Sequence, residues 1–123
     1  MKTQTLLGNL EIAFFCEQAA MVISAGFPAY EGISILMSDA PDKKTEALLR
    51  QIYEPLEAGS SFHHALASTG VFPQYVLDMV DLGETSGKLD EILHNLTLYY
   101  EREESIRNSF KSAITYQIGR AHV

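Results

Sequence analysis

Apolar residues recur three and four apart along almost the whole chain, and Gly and Pro interrupt that rhythm at intervals. A 3.6-residue period broken by helix stops restricts the chain to packed helices. No alternating β-branched run competes with it. Leu6, Leu10, Ala13, Phe14, Ala20 and Met21 form the first stripe, and Gly26-Phe27-Pro28 stops that helix and opens the next. Ala29, Ile33, Leu36, Met37 and Ala40 mark a second helix, ended by Pro41. Asp42 is placed to cap a third, with Leu48, Leu49, Ile52, Tyr53 and Leu56 inward, Pro55 near its end and Gly59 after it. Ser61 caps a short fourth helix with Phe62, Ala65 and Leu66 inward, closed by Gly70. Pro73 opens a fifth, with Tyr75, Val76, Met79 and Val80 inward. Gly83-Glu84-Thr85-Ser86-Gly87 interrupts the pattern and reads as a turn between helices, with Ser86 or Gly87 capping the last helix. That helix carries Leu89, Ile92, Leu96, Tyr99, Ile106, Phe110 and Ala113 inward, and Asp90 and Glu91 sit in its first turn, where the helix dipole favours negative charge. The expected fold is all-α: an antiparallel bundle of about six helices, the last the longest.

Charge and cysteine content exclude several function classes. The formal charge is −7, and the halves divided at residue 60 carry −4 and −3, so acidity is spread along the chain. A phosphate-binding surface needs clustered Lys and Arg, so nucleic acid is not an expected partner. One cysteine excludes an internal disulfide and a Cys-rich zinc site. The longest apolar-rich run, Ile12 to Phe27, is interrupted by Glu17, Gln18 and Ser24, and falls short of the roughly 18 to 20 uncharged residues of a membrane span. The start of the chain does not read as a secretion signal, because Gly8 and Asn9 break its apolar stretch. The domain expected is residues 1–117, with 118–123 a vector-derived tail.

Few residues offer chemistry. His63 and His64 are adjacent and point about 100° apart on a helix, while His94 and His122 stand alone; these read as solvated or packing side chains. Cys16, beside Glu17 and among Phe14, Phe15 and Ala19, reads as a buried structural thiol. The glycine-rich segment lacks phosphate-loop spacing and follows no strand. Asp78, Asp81 and Glu84 share one side of the fifth helix. They read as a solvated acidic face or as oxygen ligands for a hard cation such as calcium. Tyr99 and Tyr100, with Glu101, Arg102, Glu103 and Glu104, form either a partner-facing surface or a core boundary.

Three segments then carry a resemblance. Ala25-Gly26-Phe27-Pro28 with Glu31, Gly32 and Ile33 is similar to the AGxPxxEAL segment of the type II secretion F / type IV pilus platform family, the GspF or PilC proteins. Gly59-Ser60-Ser61-Phe62 with Ala65-Leu66 and Phe72-Pro73 looks like that family's GxSLxxAL…FP segment. Gly83-Glu84-Thr85-Ser86-Gly87-Lys88-Leu89 resembles its GExSGxL signature. Order and spacing fit, over about Leu10 to Tyr116. Gly32 stands where Ala is usual, Phe62 where Leu is usual, and Gln117 where Pro is usual. His64 occupies the site of a Glu that often completes the cap of the fourth helix, so that helix start is expected to be weaker.

The resemblance implies a non-enzymatic platform in pilus, competence or secretion assembly. It implies one cytoplasmic domain, the first of two, of an inner-membrane protein. It also implies contacts with the cytoplasmic assembly ATPase and with other inner-membrane assembly proteins. Gly26, Pro28, Gly59, Pro73, Gly83, Glu84 and Gly87 become its structural signature. Glu84 is expected to hold the junction through backbone N–H groups or a partner. The resemblance also implies calcium, with Asp78, Asp81 and Glu84 as its expected ligands, and no other cofactor is expected. Glu101, Glu103 and Glu104 are the expected partner-binding face, and a homodimer is the expected assembly. The rival readings are a soluble helical adaptor unrelated to membranes and a small helical enzyme; the second needs a convergent polar cleft.

Overall fold

The structure, a computed structural model, describes residues 5–121, with side chains described as far as Thr115. Six helices follow one another: α1 (Asn9–Ser24), α2 (Ala29–Ser38), α3 (Lys43–Glu57), α4 (Phe62–Thr69), α5 (Gln74–Ser86) and α6 (Leu89–Ala121). No strand occurs among the described residues. The backbone of 118–121 continues α6, and residues 122 and 123 of the expected tail lie outside the described residues.

The punctuation works through backbone hydrogen bonds. At Gly59, φ is +101°, a left-handed conformation that turns the chain back over the last turn of α3. The Ser60 N–H then reaches the Pro55 carbonyl at 2.9 Å and the Gly59 N–H reaches Leu56 at 3.0 Å, the paired closure of a Schellman motif. Gly26 closes α1 in the same way, with Phe27 donating to Val22. Pro28 and Pro73 sit one position earlier than the first-residue placement expected, as N-cap residues with ψ near 150°. Their carbonyls accept the first bonds of α2 and α5, from Gly32 and Leu77. Asp42 caps α3 as expected: its Oδ1 accepts from the Thr45 N–H at 2.7 Å, and that bond holds its carboxyl below the usual carboxylate range.

Inside, Phe15 packs 5.2 Å from the ring of Phe72 and 6.3 Å from that of Phe62. Around these rings lie Ile12, Cys16 and Ala19 of α1, Ile52 of α3, Leu66 of α4, Val76 and Val80 of α5, and Leu93, Leu96 and Tyr100 of α6. The inward faces expected for α3 and α4 agree with this core. Those of α1 and α6 do not. Leu6, Leu10, Phe14 and Met21 are exposed, and α1 buries Ile12, Ala13, Phe15, Cys16, Ala19 and Val22 instead. This helix is apolar nearly all round, so periodicity does not choose its face. Glu17 does: it stands seven after Leu10, three after Phe14 and four before Met21, at the centre of the face left in water. On α6 the buried residues are Leu93, Leu96, Thr97 and Tyr100, while Tyr99, Ile106 and Phe110 are exposed. Tyr75, also expected inward, is exposed and lies against Tyr99 with ring centroids 5.0 Å apart.

Helices α1 and α6 pack along each other and run antiparallel, with the Asn9 Nδ2 at the start of α1 donating to Glu104 Oε1 in the middle of α6 at 3.3 Å. Helix α2 approaches α1 through Gly32, where a Cβ would lie 2.7 Å from Val22 Cγ2 and 3.1 Å from its Cβ. The closeness accounts for glycine at a site where the helix itself would favour Ala by about 1 kcal/mol. Gly32→Ala is expected to destabilise, and Val22→Ala in the same chain to recover about 1 kcal/mol of coupling energy. A double-mutant cycle in urea measures this; additive effects would contradict it.

Candidate functional site

The segment expected to be a turn is helix. Gly83 to Ser86 form the last turn of α5, and the break falls at Gly87, whose φ is +73°. The Lys88 N–H returns to the Gly83 carbonyl at 2.9 Å, and the Lys88 carbonyl then accepts from Ile92 to begin α6. Pattern reading failed here because glycine is a poor helix residue in isolation. Tertiary contact decides instead: a Cβ on Gly83 would stand 3.0 Å from Leu89 Cα and 3.2 Å from Ile92 Cγ1. With no side chain there, α5 and α6 meet at van der Waals distance.

Glu84, next along, points to α4. Its Oε2 accepts from the Phe62 N–H at 2.7 Å and its Oε1 from the His63 N–H at 2.8 Å. Ser61 Oγ accepts from the His64 N–H at 3.0 Å, and the Ser61 carbonyl accepts from Ala65. Three of the four N–H groups that the start of a helix leaves without partners, those of Phe62, His63 and His64, are thereby bonded. The negative carboxylate also stands at the positive end of the α4 dipole. A capping-box carboxylate at position 64 would accept from the Ser61 N–H; Glu84 makes a different bond set, holding the Phe62 and His63 N–H groups from another helix. Among the described residues, every buried side-chain nitrogen and oxygen has a hydrogen-bond partner.

The other expected site residues do not converge. Asp78 Oδ1 accepts from Gln74 Nε2 at 2.8 Å, Asp81 is exposed, and both Glu84 oxygens are turned to α4. Among the described residues no three His, Cys, Asp or Glu side chains are grouped to hold a metal ion. The structure therefore does not bring Asp78, Asp81 and Glu84 together as ligands. The expected acidic face on α6 also divides. Glu101 is exposed, whereas Glu104 binds Asn9 and lies 3.7 Å from Arg107 Nη1, joining α6 to the start of α1. His63 is half-buried, His64 and His94 are exposed, and His122 lies outside the described residues. An apolar groove of about 530 Å³ runs between α1 and α3, lined by Leu6, Phe14, Phe15, Leu48, Leu49 and Val71 among others. It was not legible in the sequence, because it forms where the uncovered face of α1 meets residues far away in the chain.

Cys16 is wholly buried, and burial pushes its thiol up to about 12 from an ordinary 9.0. Burial, then the neighbouring Tyr99, Cys16, Tyr75 and Glu103, raises Tyr100 from 10.0 to about 12. Both groups are neutral when protonated, so between pH 9 and 12 the folded chain holds protons that the unfolded chain has released. Their contribution is constant below about pH 8, and stability falls as pH rises through the unfolded values. Cys16→Ala is expected to delay the onset of that fall by about one pH unit, since only the tyrosine then remains. Urea midpoints recorded from pH 7 to pH 11 test this; identical profiles for both chains would contradict it.

Fold and site together define an all-α bundle whose marked residues act as helix joints. The family described as "Type II secretion system (T2SS), protein F" matches residues 15–121. The chain is 32% identical over 111 residues to "Type IV pilus assembly protein PilC" of Thermus thermophilus, covering 90% of this chain and 27% of that protein. It is 35% identical over 109 residues to the protein of the same name in Myxococcus xanthus, covering 88% and 26%. It is 34% identical over 102 residues to "Protein transport protein HofC homolog" of Escherichia coli, covering 82% and 26%. The chain belongs to the type II secretion system protein F family. It spans about a quarter of the length of these relatives. No helix among the described residues is long and apolar enough to cross a membrane.

Proposed function

We propose that this chain is a non-enzymatic platform domain on the cytoplasmic face of the bacterial inner membrane, acting in type IV pilus or type II secretion assembly. In this reading it docks on the cytoplasmic assembly ATPase, contacts other inner-membrane assembly proteins, and associates with a second copy of itself. The observation that carries the reading is the family match over residues 15–121, with relatives named for pilus assembly and protein transport. The site agrees with it: Gly83, Glu84 and Gly87 are engaged in joining helices. The surface supports a protein partner over lipid, because a net charge of −7 disfavours anionic membranes.

Of the three expected glutamates, Glu101 is the exposed one, Glu103 is half-buried and Glu104 is held by Asn9. Capture of the purified cognate ATPase at low and high salt tests the reading. The wild-type chain is expected to capture it better at low salt, and Glu101→Lys to reduce that advantage with its melting temperature unchanged. Absence of capture at either salt would remove the ATPase from the reading.

A further inference from the structure

Helix α6 is 33 residues, about 50 Å, and its own bundle covers less than half of it. The last buried side chain is Tyr100, and from Ser105 to Thr115 every side chain is exposed. Along this length Leu96, Tyr99, Glu103, Ile106, Phe110 and Ala113 follow one another at spacings of three, four, three, four and three. That is a seven-residue repeat, the period of helices that wind about a partner helix. Leu96 is buried in the core and Tyr99 packs at its edge against Tyr75 and Tyr100, while Tyr99, Ile106 and Phe110 are 36%, 57% and 69% exposed. The seam therefore outruns the fold that begins it.

We infer that this seam pairs with the same seam of a second copy, the two α6 helices running antiparallel. Charge order selects both partner and direction. Glu101 lies away from the seam, and Glu104 is paired with Asn9 and Arg107, so the seam's own acidic residue is Glu103 and the base beside the seam is Lys111, with no acidic residue from 105 to 115. Antiparallel helices set Glu103 of each near Lys111 of the other, whereas parallel helices set Glu103 against Glu103. Centred on residue 108, the pairing puts Ile106 of one copy beside Phe110 of the other, and Glu103 opposite Ala113, within one turn of Lys111. With this register residues 101–115 of one copy lie along residues 115–101 of the other, so the two bundles stand at opposite ends of the pair. The inference gives a surface to the homodimer proposed above and rests on that part of the reading.

Sedimentation of the full chain tests it. Phe110→Asp and Ile106→Asp are each expected to weaken dimerisation by about 30-fold or more, with helicity and melting of the monomer unchanged, because both side chains are exposed. Spin labels then read direction. Glu101→Cys and Asn108→Cys lie seven apart on the side away from the seam, and the native Cys16 is buried and unlabelled. Antiparallel pairing gives a short distance between labels at 108 and one about 20 Å longer along the axis between labels at 101. Equal distances at both positions would overturn it. A dimer untouched by either Asp substitution overturns the surface and leaves the homodimer standing. A monomeric wild type at every concentration overturns both. Binding of the wild-type monomer to phosphatidylglycerol vesicles, lost in Phe110→Asp, would assign the seam to lipid and overturn the pairing.

Discussion

Glu84→Ala is expected to lower the stability of this chain by about 2–4 kcal/mol, well beyond the effect of an ordinary surface change. The carboxylate accepts two charge-assisted bonds, from Phe62 and His63, at a half-buried site. Removing it leaves two backbone N–H groups at the start of α4 without partners, and one of them belongs to Phe62, whose ring is in the core. Helix α4 has eight residues, so its first turn is a large part of it. Ser61→Ala removes one neutral acceptor from the same turn and is expected to cost about 1 kcal/mol. Glu84→Gln should fall between these, since its amide keeps one oxygen and turns an NH2 toward a donor. Urea unfolding followed by circular dichroism ranks the three variants. If Glu84→Ala costs no more than Ser61→Ala, the carboxylate does not hold the junction.

That residue also marks how far sequence reading reaches. Its importance was legible from the GExSGxL resemblance, and so was a role in binding backbone N–H groups. Which groups it binds was not, because the bonds join positions 22 and 21 residues apart. Helix number and order were legible because Gly and Pro act locally: a left-handed φ at Gly59 or a missing N–H at Pro73 ends or starts a helix whatever lies nearby. The inward faces of α3 and α4 were legible because charged or polar residues bound their apolar stripes. On α1 and α6 apolar residues occupy more than one face, and the choice belongs to the partner helix. In α6 the stripe read as inward begins in the bundle with Leu89, Ile92 and Leu96 and runs on through Ile106, Phe110 and Ala113, outside it. Two surfaces were overlaid in one period, one for the core and one beyond it.

The second large effect lies one residue from Glu84, at Gly83. Here glycine carries a cost of about 1 kcal/mol against Ala within a helix, so its presence needs a reason on the other side. The reason is backbone: the nearest atom to a Cβ built there is Leu89 Cα at 3.0 Å, with Ile92 Cγ1 at 3.2 Å and Ile92 Cβ at 3.3 Å. The Leu89 Cα cannot rotate away, and Gly87 fixes the turn between the two helices, so a side chain at Gly83 must push α6 off α5. Gly83→Ala is expected to cost about 1 kcal/mol net, the gain in helix preference offsetting part of the strain, and Gly83→Val about 2–4 kcal/mol. Gly32 supplies the contrast. There the obstructing atoms belong to the Val22 side chain, so trimming that residue relieves the contact. Trimming Ile92 should relieve little at Gly83, because the closest atom is main chain. Melting temperatures of Gly83→Ala alone and with Ile92→Ala decide it: recovery of stability in the pair would show that the side chain of Ile92, and not the backbone of Leu89, sets the distance between α5 and α6.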